Sequence, residues 1–239
     1  MKKPITILTL LLAVLFSTPI IHAAPKNHQV NTAAISEYKK GQIIAYFDKE
    51  GSLVGESQAR YYRKYLGTTP EGYFLIQDFY TGSNKKQNDP IAIKSESDFA
   101  AWWPTTTDGK HILWYENGQK REAGQYKNGT KEGTWNSWYE NGQKKQEAHY
   151  INGKAEGFWV QWYKNGQKYA ELNFKEGSPH GLLVFWHENG QKQSEGRFKN
   201  GEPIGKWIFW DEEGKKRLVD AQTIKEEYFN DHDDEKCPL

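Results

Sequence analysis

Cysteine is almost absent from this 239-residue chain, and Cys237, close to the end, is its single copy. An internal disulfide is therefore excluded, and stability has to come from sheet hydrogen bonds and burial. An excess of one charge sign is also missing. Thirty-two basic residues face 31 acidic ones, a formal net charge of +1. That balance argues against a nucleic-acid binder, which needs a basic surface. Aliphatic residues are sparse as well. Hydrophobic residues make up 36% of the chain, yet aromatics alone reach 15%, with ten Trp. A thick aliphatic core is excluded, and aromatic rings must carry the burial.

Long apolar runs are missing beyond the first residues. Met1-Lys2-Lys3 is followed by Ile5–Phe16, twelve residues of which only Thr6 and Thr9 are polar. Pro19 and the small residues Ala23 and Ala24 come next. This is the layout of a secretory signal peptide, with cleavage expected after Ala23. The run is shorter than the roughly 20 residues that span a bilayer. The alternative is an uncleaved N-terminal anchor. Without Lys2 and Lys3 the balance becomes 30 basic against 31 acidic residues, or −1. Export places the expected location in the periplasm or outside the cell.

What is present is a period. Trp114, Trp138, Trp162, Trp186 and Trp210 recur every 24 residues, as do Gly118, Gly142, Gly166, Gly190 and Gly214. Gly129 and Gly133 each start a further series at the same spacing. One copy reads WYENGQKREAGQYKNGTKEGTWNS, Trp114–Ser137, and holds two Asn-Gly pairs. Asn-Gly favours the type I′ hairpin turn, in which both central residues take positive φ. Two strands and two turns per copy predict an all-β fold, an elongated single-layer antiparallel β-meander of 24-residue hairpin repeats. Strand spacing gives an advance of roughly 10 Å per copy.

Two-residue turns predict a register. Around Asn128-Gly129, Tyr126 opposes Lys131, Gly124 opposes Gly133 and Glu122 opposes Trp135. Around Asn141-Gly142, Trp135 opposes Ala148 and Trp138 opposes Lys145. Alternation then gives a packed face carrying Tyr126, Trp135 and Tyr139, with glycines under the rings. The opposite face carries a ladder of Trp138, Trp162, Trp186 and Trp210.

The pattern WYENGQK…E…Y.NG…G.W, from Trp114 to about Lys216, resembles the variant MORN repeat, and in particular the bacterial YwqK-like antitoxin family. The resemblance implies an elongated β-meander and a binding or immunity role.

The flanks are irregular. Residues 24–37 read as a mobile leader and residues 38–113 as divergent capping repeats. Gln42–Phe47 and Glu71–Tyr80 read as strands, and Ala59–Tyr65 as strand or helix. Ser97–Trp103 reads as one helical turn stopped by Pro104. Phe79-Tyr80-Thr81-Gly82-Ser83-Asn84-Lys85 echoes Trp114–Lys120 at a spacing of 35 instead of 24. Capping of this kind protects the sheet edge. Repeats run over residues 114–217, and residues 218–239 form a C-terminal cap and an acidic tail.

No catalytic, metal or cofactor motif is present. The seven His have no ligand spacing and no Cys pair exists. Glu122, Glu147, Glu171 and Glu195 recur in every copy, which marks them as structural. The chain is expected not to be an enzyme. Two groups are candidate binding residues. The Trp ladder offers large amphipathic contacts, or else stacks structurally on neighbouring Lys and Gln stems. Arg60, Tyr61, Tyr62, Arg63, Trp102 and Trp103 lie outside the period and offer specificity, or else pack the cap. The expected partner is a protein, a toxin or effector neutralised by direct binding. The alternative is an envelope scaffold with peripheral membrane contact, as interfacial Trp allows. An enzyme acting on envelope polymers is the third reading.

Overall fold

The computed structural model describes residues 38–228. The expected signal peptide, leader and acidic tail lie outside the described residues.

The chain forms one open sheet of 14 strands in strict sequence order, with every neighbouring pair antiparallel. The fold is the all-β meander that the period predicts. The cap supplies β1 (Ile43–Phe47), β2 (Tyr61–Thr68), β3 (Phe74–Tyr80) and β4 (Ile91–Ile93). Short 3-10 turns lie at Glu56–Gln58 and Glu96–Ala100. The array begins with β5 (Thr107–Trp114) and β6 (Lys120–Lys127). It continues through β7 (Thr130–Trp138), β8 (Lys144–Ile151), β9 (Lys154–Trp162) and β10 (Lys168–Lys175). It ends with β11 (Ser178–Trp186), β12 (Lys192–Lys199), β13 (Glu202–Trp210) and β14 (Lys216–Asp220). A closing helix, α1 (Ala221–Tyr228), folds back on β13 and buries Ile224 completely.

The two turns of a copy are of different kinds. Asn128 and Gly129 both take positive φ, 50° and 77°, as type I′ requires. The Asn117-Gly118 series does not follow the expected type I′ form. Only the glycine is left-handed, at 90° for Gly118. Gly118 N donates to Tyr115 O, and Tyr115 N donates to Gln119 O. This is a three-residue loop, a type I turn closed by a left-handed glycine. The Asn117 side chain is free for other work: its Oδ1 accepts from Gln119 N, and its Nδ2 donates to Glu140 O in the next copy. Asn141 and Asn165 repeat the link. Successive turns are stitched together along one rim of the ribbon.

In the I′ series Glu176 stands where the other copies have Asn, at a φ of 52°. Glu is strained in this region, whereas Asn tolerates it because its short polar side chain can hydrogen-bond to the local backbone. Glu176→Asn is expected to raise stability by about 0.5–1 kcal/mol, read as a shift in the denaturant midpoint at constant slope.

The second turn type corrects the register. Trp138 pairs with Lys144, not Lys145, because the extra loop residue is absorbed as a bulge at Lys145. A wider irregularity follows in β7. Gln125 pairs with Glu132 but Ala123 pairs with Asn136, so Glu122 meets Ser137 and not Trp135. Gly133, at a φ of 68°, sits in this irregularity, as Gly157 and Gly205 do in later copies. Bulges strengthen twist and bend the strand, which lets one face of a single sheet close over its own side chains.

That face is the core. Trp135, Trp159, Leu183 and Trp207 are all at most 6% exposed, with Ala170, Leu172, Phe185 and Phe198 beside them. Sizes are complementary from strand to strand. Trp135 lies over Gly124, and Trp207 over Gly196. Trp159 faces Ala148, and Leu172 faces Leu183. Where the small residue grows to Leu, the large one shrinks to Leu, as close packing demands.

Candidate functional site

The uncovered face of the array is built from one row per strand position. Trp114, Trp138, Trp162, Trp186 and Trp210 end the odd strands β5 to β13, and Lys120, Lys144, Lys168, Lys192 and Lys216 begin the even ones. The row alternates Trp and Lys. Lys144 Nζ lies 5.3 Å from the Trp162 ring, Lys168 5.6 Å from Trp186, and Lys192 5.9 Å from Trp210. Lys120 is 6.0 Å from both Trp114 and Trp138. These are cation–π distances. The row reaches the cap, where Lys86 lies 4.0 Å over Trp114.

Each of three lysines is held by a glutamate three residues on: Lys168 to Glu171 and Lys192 to Glu195 at 2.7 Å, and Lys144 to Glu147. Glu147, Glu171 and Glu195 therefore neutralise the lysines that clad the indoles, whereas Glu122, one residue out of their 24-residue series, lies beside His111. The four candidate Trp residues stand half-buried between lysine stems, not as open flat platforms. Their backbones are pinned too. Tyr115 Oη donates to Trp138 O at 2.9 Å, Tyr139 to Trp162 O at 2.7 Å, and Tyr163 to Trp186 O at 2.8 Å. Tyr80 does the same for Trp114 O at 2.9 Å, so the 35-residue echo in the cap supplies a true rung. Burial pushes the phenols of Tyr80, Tyr115, Tyr139 and Tyr163 above their ordinary pKa, so each stays a donor at neutral pH.

The remaining candidates divide between the two faces. Arg63 is completely buried. It grips Asp78 with Nε and Nη2 at 2.7 and 2.9 Å, and Nη1 donates to the carbonyls of Asp98, Phe99 and Ala101. It is therefore a tie between the cap strands and the segment after them, not a surface contact. Tyr61 and Trp102 stack at 4.7 Å on the same packed side, and Trp103 extends from them 54% exposed. Tyr62 is buried against Phe79, capped by Lys64 and hydrogen-bonded to Asn84. Arg60 is exposed, paired with Glu116 and 5.3 Å above the Tyr80 ring.

Exposed apolar residues also lie outside these candidates. Phe158 is 72% exposed and Leu182 43%. Both lie on the uncovered face, one position before the core residues Trp159 and Leu183. Beside them are Val160 and Val184, at the same strand positions as the recurrent glutamates of the neighbouring strands. The signal in the sequence is a broken period: the same position holds Thr134, Phe158, Leu182 and Lys206. Phe158 and Leu182 thus put large apolar groups at this position in the middle copies, and Ile151, Ile204 and Leu218 are exposed apolar residues elsewhere in the array. Exposed apolar clusters of this type mark interaction sites.

Among the described residues no cluster of three or more His, Cys, Asp and Glu has metal-binding geometry, and no helix is long and apolar enough to cross a membrane. No curated protein matches the chain. A family model described as the MORN repeat variant matches residues 107–128, 131–152 and 179–200. Those segments coincide with β5–β6, β7–β8 and β11–β12, so the chain carries MORN repeats of the variant type at three of its copies.

Proposed function

We propose that this protein is an exported, non-catalytic binding protein that neutralises a protein toxin by direct contact through the uncovered face of its repeat array. MORN repeats support a binding role in general, to protein or to membrane. The observation that carries the protein reading is the patch at Phe158 and Leu182. It departs from the repeat where structure demands nothing, and it places apolar side chains in water at 72% and 43% exposure. Periodic residues of the same face are committed to one another instead, as the Trp–Lys–Glu row shows. Export rests on the sequence of residues 1–23, and the immunity role on the resemblance to the YwqK-like family.

Co-expression of the full-length protein with the product of the adjacent gene is the test. Growth should be rescued by the native protein and not by the double variant Phe158→Lys, Leu182→Lys. That variant should keep its thermal midpoint, since exposed substitutions change stability by only about 0.5 kcal/mol. Equal rescue by both proteins would remove the patch from the interface, and no rescue at all would remove the immunity reading. Flotation with anionic and zwitterionic vesicles tests the membrane alternative. Co-flotation abolished by the same two substitutions would replace the protein partner with a lipid surface.

A further inference from the structure

The core position of the array is occupied in register by His111, Trp135, Trp159, Leu183 and Trp207. The first copy therefore places an imidazole where the others place a large apolar group. His111 is 5% exposed, and neither ring nitrogen has a hydrogen-bond partner. Glu122 Oε1 lies 3.6 Å from Nε2, too far for a hydrogen bond. Beside the ring, where the larger group would fill space, lies a cavity of about 30 Å³ on the packed face, between cap and array.

Its walls are aromatic, with the unpartnered His111 ring among them. Trp102 and Trp103 meet there at 71°, and Tyr126 stands at 87° to the His111 ring. The Gln87 side chain is 2% exposed and lines the cavity. Arg63 and Asp78 also line the cavity, but they cancel each other in their bidentate pair. Trp103, which is 54% exposed, is the lining residue most open to solvent among the aromatics.

Charge and size select the occupant. Burial opposes ionisation of Glu122, but the neighbouring His111 ring, Lys131 and Arg121 outweigh it and hold its carboxyl below the usual range. A carboxylate thus stands next to the imidazole at neutral pH. Lys131 is drawn onto the Trp135 ring at 4.0 Å. Indole and phenol faces attract cations. An unprotonated imidazole nitrogen and the Gln87 Oε1 accept hydrogen bonds. The space fits a head group about the size of one water molecule.

We propose that this cavity is a binding site for a primary alkylammonium head carried on a narrow aliphatic stem. The ammonium donates to His111 and Gln87 Oε1 and lies among the Trp102, Trp103 and Tyr126 rings. The stem leaves past Trp103. The site is on the opposite side of the sheet from the Phe158 patch and stands or falls independently of the toxin-binding reading.

The test is a titration of the full-length protein with butylammonium, followed by tryptophan fluorescence and by the indole N–H resonances of Trp102 and Trp103. A saturable shift of those two resonances is expected, with a Kd on the order of 1 mM for so small a ligand. His111→Trp gives the first copy the array's own core residue and should weaken binding at least tenfold while the fold persists. Gln87→Leu should weaken it severalfold and serves if the first variant misfolds. Nα-acetyl-lysine amide and ethanolamine, compared under the same conditions, separate a protein side chain from a lipid head group as the source of the amine. No saturation, equal binding of butanol, or full binding by both variants would overturn the proposal and leave an ordinary hydrated cavity.

Discussion

Asp78→Ala should be the most damaging single change outside the repeats. It leaves a fully buried guanidinium without its counter-ion: Arg63 is 0% exposed, and its Nε and Nη2 bonds both end on Asp78. Removing one member of a buried pair costs about 3–5 kcal/mol, since the survivor keeps its desolvation penalty. The change also frees Asn88 Nδ2, which donates to Asp78 Oδ2 at 3.1 Å. Arg63→Met should cost a similar amount, because it orphans the carboxylate and three carbonyls. The two effects should not add. The double variant Arg63→Met, Asp78→Ala should be at least about 1 kcal/mol more stable than their sum predicts. Urea denaturation with fluorescence detection gives all four values. Strict additivity would show that the pair does not act as a unit. Loss should appear first in the cap, because a repeat array need not unfold as one body.

Trp207→Ala should lower stability by about 3–5 kcal/mol, the range for deleting a buried Trp or Phe. Trp207 is 1% exposed, and its ring lies flat on Gly196: a methyl group added there would be 2.1 Å from Cδ2. Gly196→Ala alone should therefore cost about 1–3 kcal/mol by overpacking. In the Trp207→Ala background the same glycine change should cost almost nothing, since the ring it would strike is gone. A thermal-melt cycle over the four proteins reads the coupling. Equal cost in both backgrounds would mean that Gly196 is needed for its backbone and not for the ring above it. The natural pairs Ala148 with Trp159 and Leu172 with Leu183 show the array making the same compensation.

Much of this molecule is legible in its sequence because the repeat is local. A 24-residue period, two Gly-marked turns per copy and alternating aromatics fix a meander of antiparallel hairpins. Each strand pairs with its neighbours in the chain, so no long-range pairing has to be guessed. The separation of a packed aromatic face from a Trp-ladder face follows from alternation alone. The cap is legible in part, because its echo at a spacing of 35 aligns Tyr80 with Tyr115, whose kind of rung it supplies.

What only the tertiary structure decided lies at bulges and at broken symmetry. Two Asn-Gly pairs look alike in sequence, yet one makes a two-residue and the other a three-residue loop. The difference shifts the register by one residue and puts Lys144, not Lys145, against the indole ladder. A one-residue slip changes which face a side chain takes, so the partners of the Trp row were beyond the reach of pattern alone. Arg63 looked like a specificity residue, and burial with Asp78 makes it a tie. Phe158 and Leu182 break the period in the sequence, but only the structure shows that they stand exposed. The ladder of Trp and Gly was written in the sequence. Its cladding by ion-paired lysines, which turns it from open platforms into scaffold, depends on side chains from neighbouring strands meeting across a bulged register.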